Sequence, residues 1–336
     1  MKKVMPNAKR RIAAVQLEAE LGDVSVNLER VERLAKEALT AGAEVVALPE
    51  FFTSRIAFDQ RVHDAVLPPN NEAVDLLVSL AKQYGCWIGG SMLIAEEAEV
   101  YNRYYFVEPD GEIHTHDKDL PTMWENAFYG PGKGDGVFQT SMGGVGAAVC
   151  WELIRNQTAK RLKSRVGLVM SGTHWWTLPS NWGGLVNRGL SALGQYNRYL
   201  SEQAPSELAR RIGAPVVQAS HCGSFSGGFM LTPGFSASVP YDTHYVGCTQ
   251  IVDGQGRILA QRRTSEGPGI VVSEVDIGSV PETEETTNRF WLPDHALLMK
   301  AYWHQQNLCG KSYYRRQGRA AGVLAAQRYE QCHSHK

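Results

Sequence analysis

The chain has 336 residues, 43% of them hydrophobic and 21% charged, a composition that fits a soluble globular protein long enough to bury a sizeable core. Its net charge of −1 removes any whole-molecule field that would favour nucleic acid, and small neutral partners fit that balance. No run approaches the ~20 consecutive apolar residues of a membrane helix, and the basic opening MKKVMPNAKRR is followed by no apolar leader segment, so a cytoplasmic protein without a signal peptide is expected.

RIAAVQLE reads as a buried strand. From Asn27 to Thr40, the residues Leu28, Val31, Leu34, Ala35, Ala38 and Leu39 recur at helical spacing, and Gly42 supplies a stop signal. EVVALPE is a short apolar strand ending on Pro49 and Glu50. Asn71 to Tyr84 reads as a second helix and CWIGGSMLIA as a third strand. YNRYYFVEPDGEIHTHDKD is a pair of β runs around Pro109–Asp110–Gly111, a hairpin signal. VFQT and VGAAVCWE read as strands, Thr158 to Lys163 as a helix, and VGLVMSG as a further buried strand. Leu193 to Arg211 reads as mostly helix, with Pro205 forcing a break or a new first turn. APVVQAS, a hairpin turning at Asp253–Gly254, and a strand within EGPGIVVSEVDIG complete the run. Strands alternating with helices and mixed with hairpins predict a layered α/β architecture with a mixed sheet. No linker, repeat or low-complexity block divides it. A single domain is expected over residues 11–290, after a basic N-terminal extension at 1–10 and before a C-terminal tail at 291–336. That tail carries Lys300, Lys311, Arg315, Arg316, Arg319, Arg328 and Lys336, and reads as a segment that wraps a partner subunit.

The six cysteines are scattered and form no CxxC pair, so neither a zinc ribbon nor a disulfide framework is expected. Cys150 stands out by position. It ends the small-residue strand GVGAAVCWE, where a side chain leaves the sheet edge and N–H groups at a following helix entrance face developing negative charge. Such a position also favours a thiolate. Glu50, at the end of VVALPEFF, delivers a carboxylate to a sheet end in an apolar setting, which raises its pKa towards the range of a general base. Lys118 follows the β run HTH, and Glu125 lies seven residues on. A lysine beside a nucleophile holds a thiolate and then an oxyanion, and a second carboxylate orients the lysine.

The segments LPEFF at Leu48 to Phe52, HDKDLPTMWE at His116 to Glu125 and VCWE at Val149 to Glu152 occur in an order that resembles the nitrilase superfamily of carbon–nitrogen hydrolases. YNRYYFVEPDGEI and IVDGQGRILA extend the resemblance across residues 11 to 280. It implies an α-β-β-α sandwich with a Glu–Lys–Cys triad. Glu50 would then be the general base and acid, Lys118 the oxyanion-stabilising residue, Cys150 the nucleophile and Glu125 a supporting carboxylate. The backbone N–H of Trp151 would complete the oxyanion site. The resemblance further implies no metal or organic cofactor, a small-molecule amide or nitrile as substrate, and a homodimer or larger homo-oligomer.

Amide hydrolysis through a thioester is the expected activity, with nitrile hydrolysis as the alternative. K-x-x-P-T-x-x-E and CWE resemble the true nitrilase branch, whereas ELIRNQTAKRL after the cysteine departs from it. Trp175 and Trp176 follow a strand end on the same side as Cys150. With Phe51, Trp124 and His174 they form the expected substrate-binding set. No arginine occupies a motif position suited to clamp a carboxylate; Arg155 is the nearest to Cys150 in sequence. Three rival readings use other residues. His114 and His116, with His174 and His221, offer metal ligands on one strand face. A catalytically silent scaffold of the same fold is a second. A third makes Cys222 the nucleophile beside His221, although strand neighbours point to opposite faces.

Overall fold

The structure is a computed structural model that describes residues 8–183, 185–234, 238–246 and 248–333. In chain order the strands are β1 (Ala8–Leu17), β2 (Val45–Ala47), β3 (Trp87–Glu96), β4 (Glu99–Val107), β5 (Ile113–Asp117), β6 (Val137–Thr140), β7 (Gly143–Ala147), β8 (Leu168–Thr173), β9 (Val216–His221), β10 (Ser224–Met230), β11 (Ser238–His244), β12 (Cys248–Val252), β13 (Ile258–Arg263) and β14 (Gly269–Ile277). The helices are α1 (Val24–Thr40), α2 (Glu72–Tyr84), α3 (Asn156–Leu162), α4 (Leu185–Ile212), α5 (Leu297–Tyr313) and α6 (Arg319–His333).

Twelve strands form one hydrogen-bonded network of two halves. In the first half β1, β2 and β3 run parallel, with β4, β5 and β14 added antiparallel. In the second half β7, β8 and β9 run parallel, with β6, β12 and β13 antiparallel. Among the described residues, the strand ladders of the two halves join where Gln16 and Leu17 of β1 meet Ser220 and His221 of β9. Beyond that seam they fold face to face, with β2 and β3 against β8. α1 and α2 cover the outer face of the first sheet, and α4 covers that of the second, giving the α-β-β-α sandwich.

The period-2 alternation of strands sets the layers. Ile12, Ala14, Val45 and Ala47 face inward between the sheets. Ala13, Val15, Val46 and Leu48 face outward, where Leu28, Val31, Leu34 and Ala35 of α1 bury their apolar stripe. α1 is capped by Asp23, which accepts from Val26 N at 3.1 Å. α2 is capped by Asn71 and stops at Gly85, whose φ of +61° is left-handed.

Four expectations change. β1 starts at Ala8, inside the stretch set aside as an extension; residues 1–7 lie outside the described residues. Pro205 does not break α4, because the turns around it bury Ala204, Leu208 and Ala209 against the sheet, and this packing outweighs one missing donor. β7 stops at Ala147, so Cys150 lies beyond the strand rather than in it. The segment from Trp291 is not an extended tail: α5 and α6, joined by a π turn at Tyr314–Gly318, lie along the chain's own body. Its helical face buries Gln306, Asn307, Gly310 and Cys309 beside Met299 and Tyr313, so polar burial hides the apolar period. No helix among the described residues is long and apolar enough to cross a membrane.

Candidate active site

Glu50 stands just past β2, where the apolar strand reaches the sheet's end. Phe51 then turns the chain with φ +53°. A Cβ on Gly172 of β8 would lie 2.3 Å from Glu50 N, so glycine there lets the two sheets approach closely enough to seat the carboxylate. Glu50 is fully buried and its carboxylate is saturated: Oε1 accepts from Asn102 Nδ2 and Lys118 Nζ, both at 2.8 Å, and Oε2 from His174 N at 2.9 Å. The His221 ring donates from Nε2 to the Glu50 carbonyl at 2.6 Å.

Lys118 follows β5, with its amine at 2.8 Å from both Glu50 and Glu125. Glu125 is held in turn by Thr122 N at 3.0 Å and by the Tyr129 hydroxyl, within a single 3-10 turn at Met123–Ala127. Burial works against the Lys118 charge, but Glu125 and Glu50 outweigh it and keep the lysine protonated.

Cys150 opens a 3-10 turn (Cys150–Ile154) with φ +53°, a left-handed backbone unusual for a residue with a Cβ. Glu152 locks this elbow. Its carboxylate accepts from Val149 N at 2.7 Å and Asp119 N at 3.0 Å, and it pairs with His116 at 3.1 Å and Arg161 at 3.0 Å. One buried carboxylate thus ties the residue before the cysteine to the residue after the lysine. Burial opposes the Glu152 charge, yet Arg161 and His116 hold its pKa well below the ordinary glutamate range.

The buried Cys150 thiol is close enough to Glu50, Lys118 and Glu125 to feel their charges, and the nearby His174 N–H donates to Glu50 Oε2. Burial and then the Glu50 charge push the thiol well above its ordinary pKa, so at rest it is protonated. Burial also pushes Glu50 up, and the nearby Glu125 charge adds to it while Lys118 pulls back; the result is about 7. A carboxylate of that strength beside a neutral thiol is placed to take its proton and return it, which is general acid–base chemistry near neutrality. Left-handed residues without glycine also gather here: Phe51, Met123 and Cys150 flank or carry these groups.

The structure brings Phe51, Trp124, Trp176 and His174 together. Phe51 and His174 rings lie 5.6 Å apart, His174 and Trp176 5.9 Å, and Trp124 and Trp176 4.5 Å. Trp175 points the other way, donating to Asn197 of α4 at 2.7 Å and packing behind the elbow on Trp151. Its alternation with Trp176 is the strand rule continued past β8. His174 Nε2 accepts from Ile56 N at 3.0 Å and lies 2.6 Å from the Tyr245 hydroxyl, so its proton sits on Nδ1.

Asn102, Tyr129 and Glu152 hold site groups that residue-by-residue reading missed, although Asn102 and Glu152 lay inside the quoted motifs. The rival sets do not assemble. His114 pairs with Glu108 at 2.7 Å, His116 with Glu152, the His174 ring with Ile56 N and the Tyr245 hydroxyl, and the His221 ring with the Glu50 carbonyl, so the four imidazoles serve separate partners. Among the described residues, the three-residue set able to share an ion is Glu108, Glu112 and His114, on the hairpin that β4 and β5 form. The Cys222 thiol is pushed up to about 12 by burial and the Glu18 charge. Arg155 is buried on Asp119 and takes no part at the triad.

Residues 11–285 match the family model described as carbon–nitrogen hydrolase. Over 173 residues the chain is 34% identical to the omega-amidase NIT2 of Xenopus tropicalis, covering 47% of this chain and 62%, under two thirds, of that relative. It is 31% identical over 214 residues to the omega-amidase NIT2 of Danio rerio, covering 59% and 75%. It is 25% identical over 215 residues to the N-carbamoylputrescine amidase of Arabidopsis thaliana, covering 59% and 70%. Among solved structures, a carbon–nitrogen hydrolase from Helicobacter pylori superposes with a TM-score of 0.61 at 18% identity, covering 80% of this chain and 89% of that one. A superfamily protein from Xanthomonas campestris gives 0.60 at 19%, covering 80% and 91%; both likenesses bear on the fold.

Proposed function

The chain belongs to the carbon–nitrogen hydrolase family, and from that premise we propose that it is an amidase that releases ammonia from a small carboxamide through a Cys150 thioester. The observation that carries this reading is the buried Glu50–Lys118–Glu125 hydrogen-bonded cluster, with the fully buried Cys150 within reach of its charges. As the sulfur attacks the carbonyl carbon, Glu50 takes the thiol proton. The oxyanion forms beside Lys118 and the Trp151 N–H, which lies in the first turn of the 3-10 segment, where backbone donors lack helical acceptors. Glu50 then passes the proton to the departing nitrogen. The C–N bond breaks and ammonia leaves. Glu50 takes a proton from water, the hydroxide attacks the thioester, and the proton returns to sulfur. Glu125 and Tyr129 keep Lys118 aimed throughout.

Phe51, Trp124, Trp176 and His174 form the substrate wall, and Trp175 supports it from behind. The quoted K-x-x-P-T-x-x-E and CWE segments favour a nitrile as the second reading. The exposed leucines of α5, Leu297, Leu298 and Leu308, support a homodimer that closes on this face.

Purified protein incubated with paired amides and nitriles of matched chain length should release ammonia from the amides at least tenfold faster. Faster turnover of the nitriles would replace the amidase reading with the nitrilase one. The acid limb follows from Glu50. Below about 7 the carboxyl is protonated and unable to accept the thiol proton, so kcat/KM should fall as pH drops through that value. A limb at an ordinary carboxylate pKa near ~4.3 would remove Glu50 from the role of base.

A further inference from the structure

Glu50 is engaged on both oxygens, but unequally. Oε1 accepts from two donors, Asn102 Nδ2 and Lys118 Nζ, each at 2.8 Å. Oε2 accepts from one, His174 N at 2.9 Å. A carboxylate offers about four lone-pair sites, shared equally by its oxygens. Oε1 is therefore filled, and Oε2 keeps a site open for a proton.

Asn102 creates this inequality, and the strand register puts it there. Alternation along β4 buries Val100, Asn102 and Tyr104 on one face. The pairing of β4 with β5 sets Arg103 opposite Asp117, so Asn102 falls opposite Lys118, and its carbonyl accepts from Lys118 N at 2.9 Å. One residue thus grips the lysine by its backbone and the glutamate by its side chain. Asn102 is buried, and among the described residues no donor reaches its Oδ1. The reverse amide orientation would set that oxygen against the Glu50 carboxylate, so the donor end faces Glu50. Nδ2 also lies 3.5 Å from the Tyr129 hydroxyl, which bonds Glu125. Glu50, Asn102, Tyr129, Glu125 and Lys118 close a buried ring of polar side chains. Burial and the Glu50 charge raise the Cys150 thiol, and the His174 N–H is among the groups that pull it back, so the donor that marks Oε2 also acts on the sulfur.

We propose that Oε2 of Glu50 is the atom that takes the Cys150 proton and returns it, and that Asn102 is the positioning residue that reserves it by filling Oε1 together with Lys118. The proposal deepens the amidase reading and rests on it for the role of Glu50. The proton passes from Sγ to Oε2 as the sulfur electron pair forms the bond to the carbonyl carbon. It then leaves Oε2 for the departing nitrogen as the C–N bond breaks. Oε1 keeps its two donors throughout, which holds the carboxyl in one orientation.

The test compares the full chain with its Asn102→Leu and Asn102→Asp variants. Each is followed across pH by ammonia release from an amide and by mass spectrometry of Cys150 alkylation with iodoacetamide, all rates taken per alkylatable Cys150. Asn102→Leu should move the acid limb up by about one pH unit, the scale of one lost hydrogen bond to a charged group. Above the limb its plateau rates should fall about tenfold, because Oε1 then competes for the proton, a part of the roughly 10²–10⁴-fold that positioned proton transfer supplies. Asn102→Asp keeps the parent's shape, so the test stands even where Asn102→Leu does not fold. It should move the limb at least as far, because it sets a like charge beside Glu50. A residue that only filled space would make this isosteric change the milder one. An unmoved limb in both variants overturns the role of Asn102. A moved limb with unchanged plateaus overturns the reservation of Oε2. If the parent hydrolyses no amide but its alkylation limb and plateau shift as described, the proton assignment stands and the amidase reading falls.

Discussion

Cys150→Ala should lower turnover by at least about 10⁴-fold, the scale seen when a catalytic nucleophile is removed, while the fold survives. The chemical half follows from atom economy: with no sulfur there is no thioester, and the proton that Glu50 would carry has no donor. The structural half follows from the backbone. Cys150 already carries a Cβ at φ +53°, so alanine meets the same backbone condition and adds no new contact. The elbow is held by Glu152 through Val149 N and Asp119 N, and the thiol contributes nothing to those bonds. The melting temperature should therefore move by no more than about 4 °C. Steady-state ammonia release and a thermal melt on the same preparation check both halves. Residual turnover within tenfold of the parent would assign the chemistry to another residue.

Lys118→Met should have the second-largest effect, on stability as well as on rate. The lysine is fully buried, and its amine is the cation that Glu50 and Glu125 share at 2.8 Å each. Methionine fills much of the volume but leaves two carboxylates facing one another without it. Breaking a buried ion pair by removing one partner costs about 3–5 kcal/mol. The loss also depends on pH. Without the cation the folded Glu50 binds its proton more tightly still, so its pKa moves further above the unfolded value. The folded state then holds more protons than the unfolded one between those two values, and stability rises as pH falls through that window. The variant should be least stable relative to the parent at alkaline pH and recover part of the difference on acidification. Urea melts at two pH values read this directly; equal midpoints for variant and parent at alkaline pH would show that the lysine does not carry the pair.

Much of the sandwich follows from local pattern. α1 and α2 appear where apolar residues recur at helical spacing, and their caps, Asp23 and Asn71, are caps by residue type. The hairpin at Pro109–Asp110–Gly111 and the one at Asp253–Gly254 appear where turn residues separate alternating runs. The hairpin of β10 and β11 escapes notice because glycines and a proline dilute its alternation, and only its packing around Tyr241 and Tyr245 shows it as a strand pair. α5 escapes for a related reason: Gln306 and Asn307 are buried because partners on other elements bond them, and a hydropathy period does not register such burial.

The candidate site divides in the same way. Residue types at strand ends made Glu50, Lys118 and Cys150 candidates, and the resemblance to the nitrilase superfamily gave them their expected roles, with Glu125 as a supporting carboxylate. The chain by itself did not determine that Asn102, Tyr129 and Glu152 hold them, nor that Trp176 turns toward the site while Trp175 turns away. Those depend on distances between elements far apart in sequence, such as the approach of β8 to Glu50 that Gly172 permits. Charge state was likewise decided only in three dimensions. A glutamate, a lysine and a cysteine each have ordinary ionisation in water; burying them in one dry cluster lifts the carboxyl to about 7 and keeps the thiol neutral, because desolvation and mutual charge act only once the fold has closed around them.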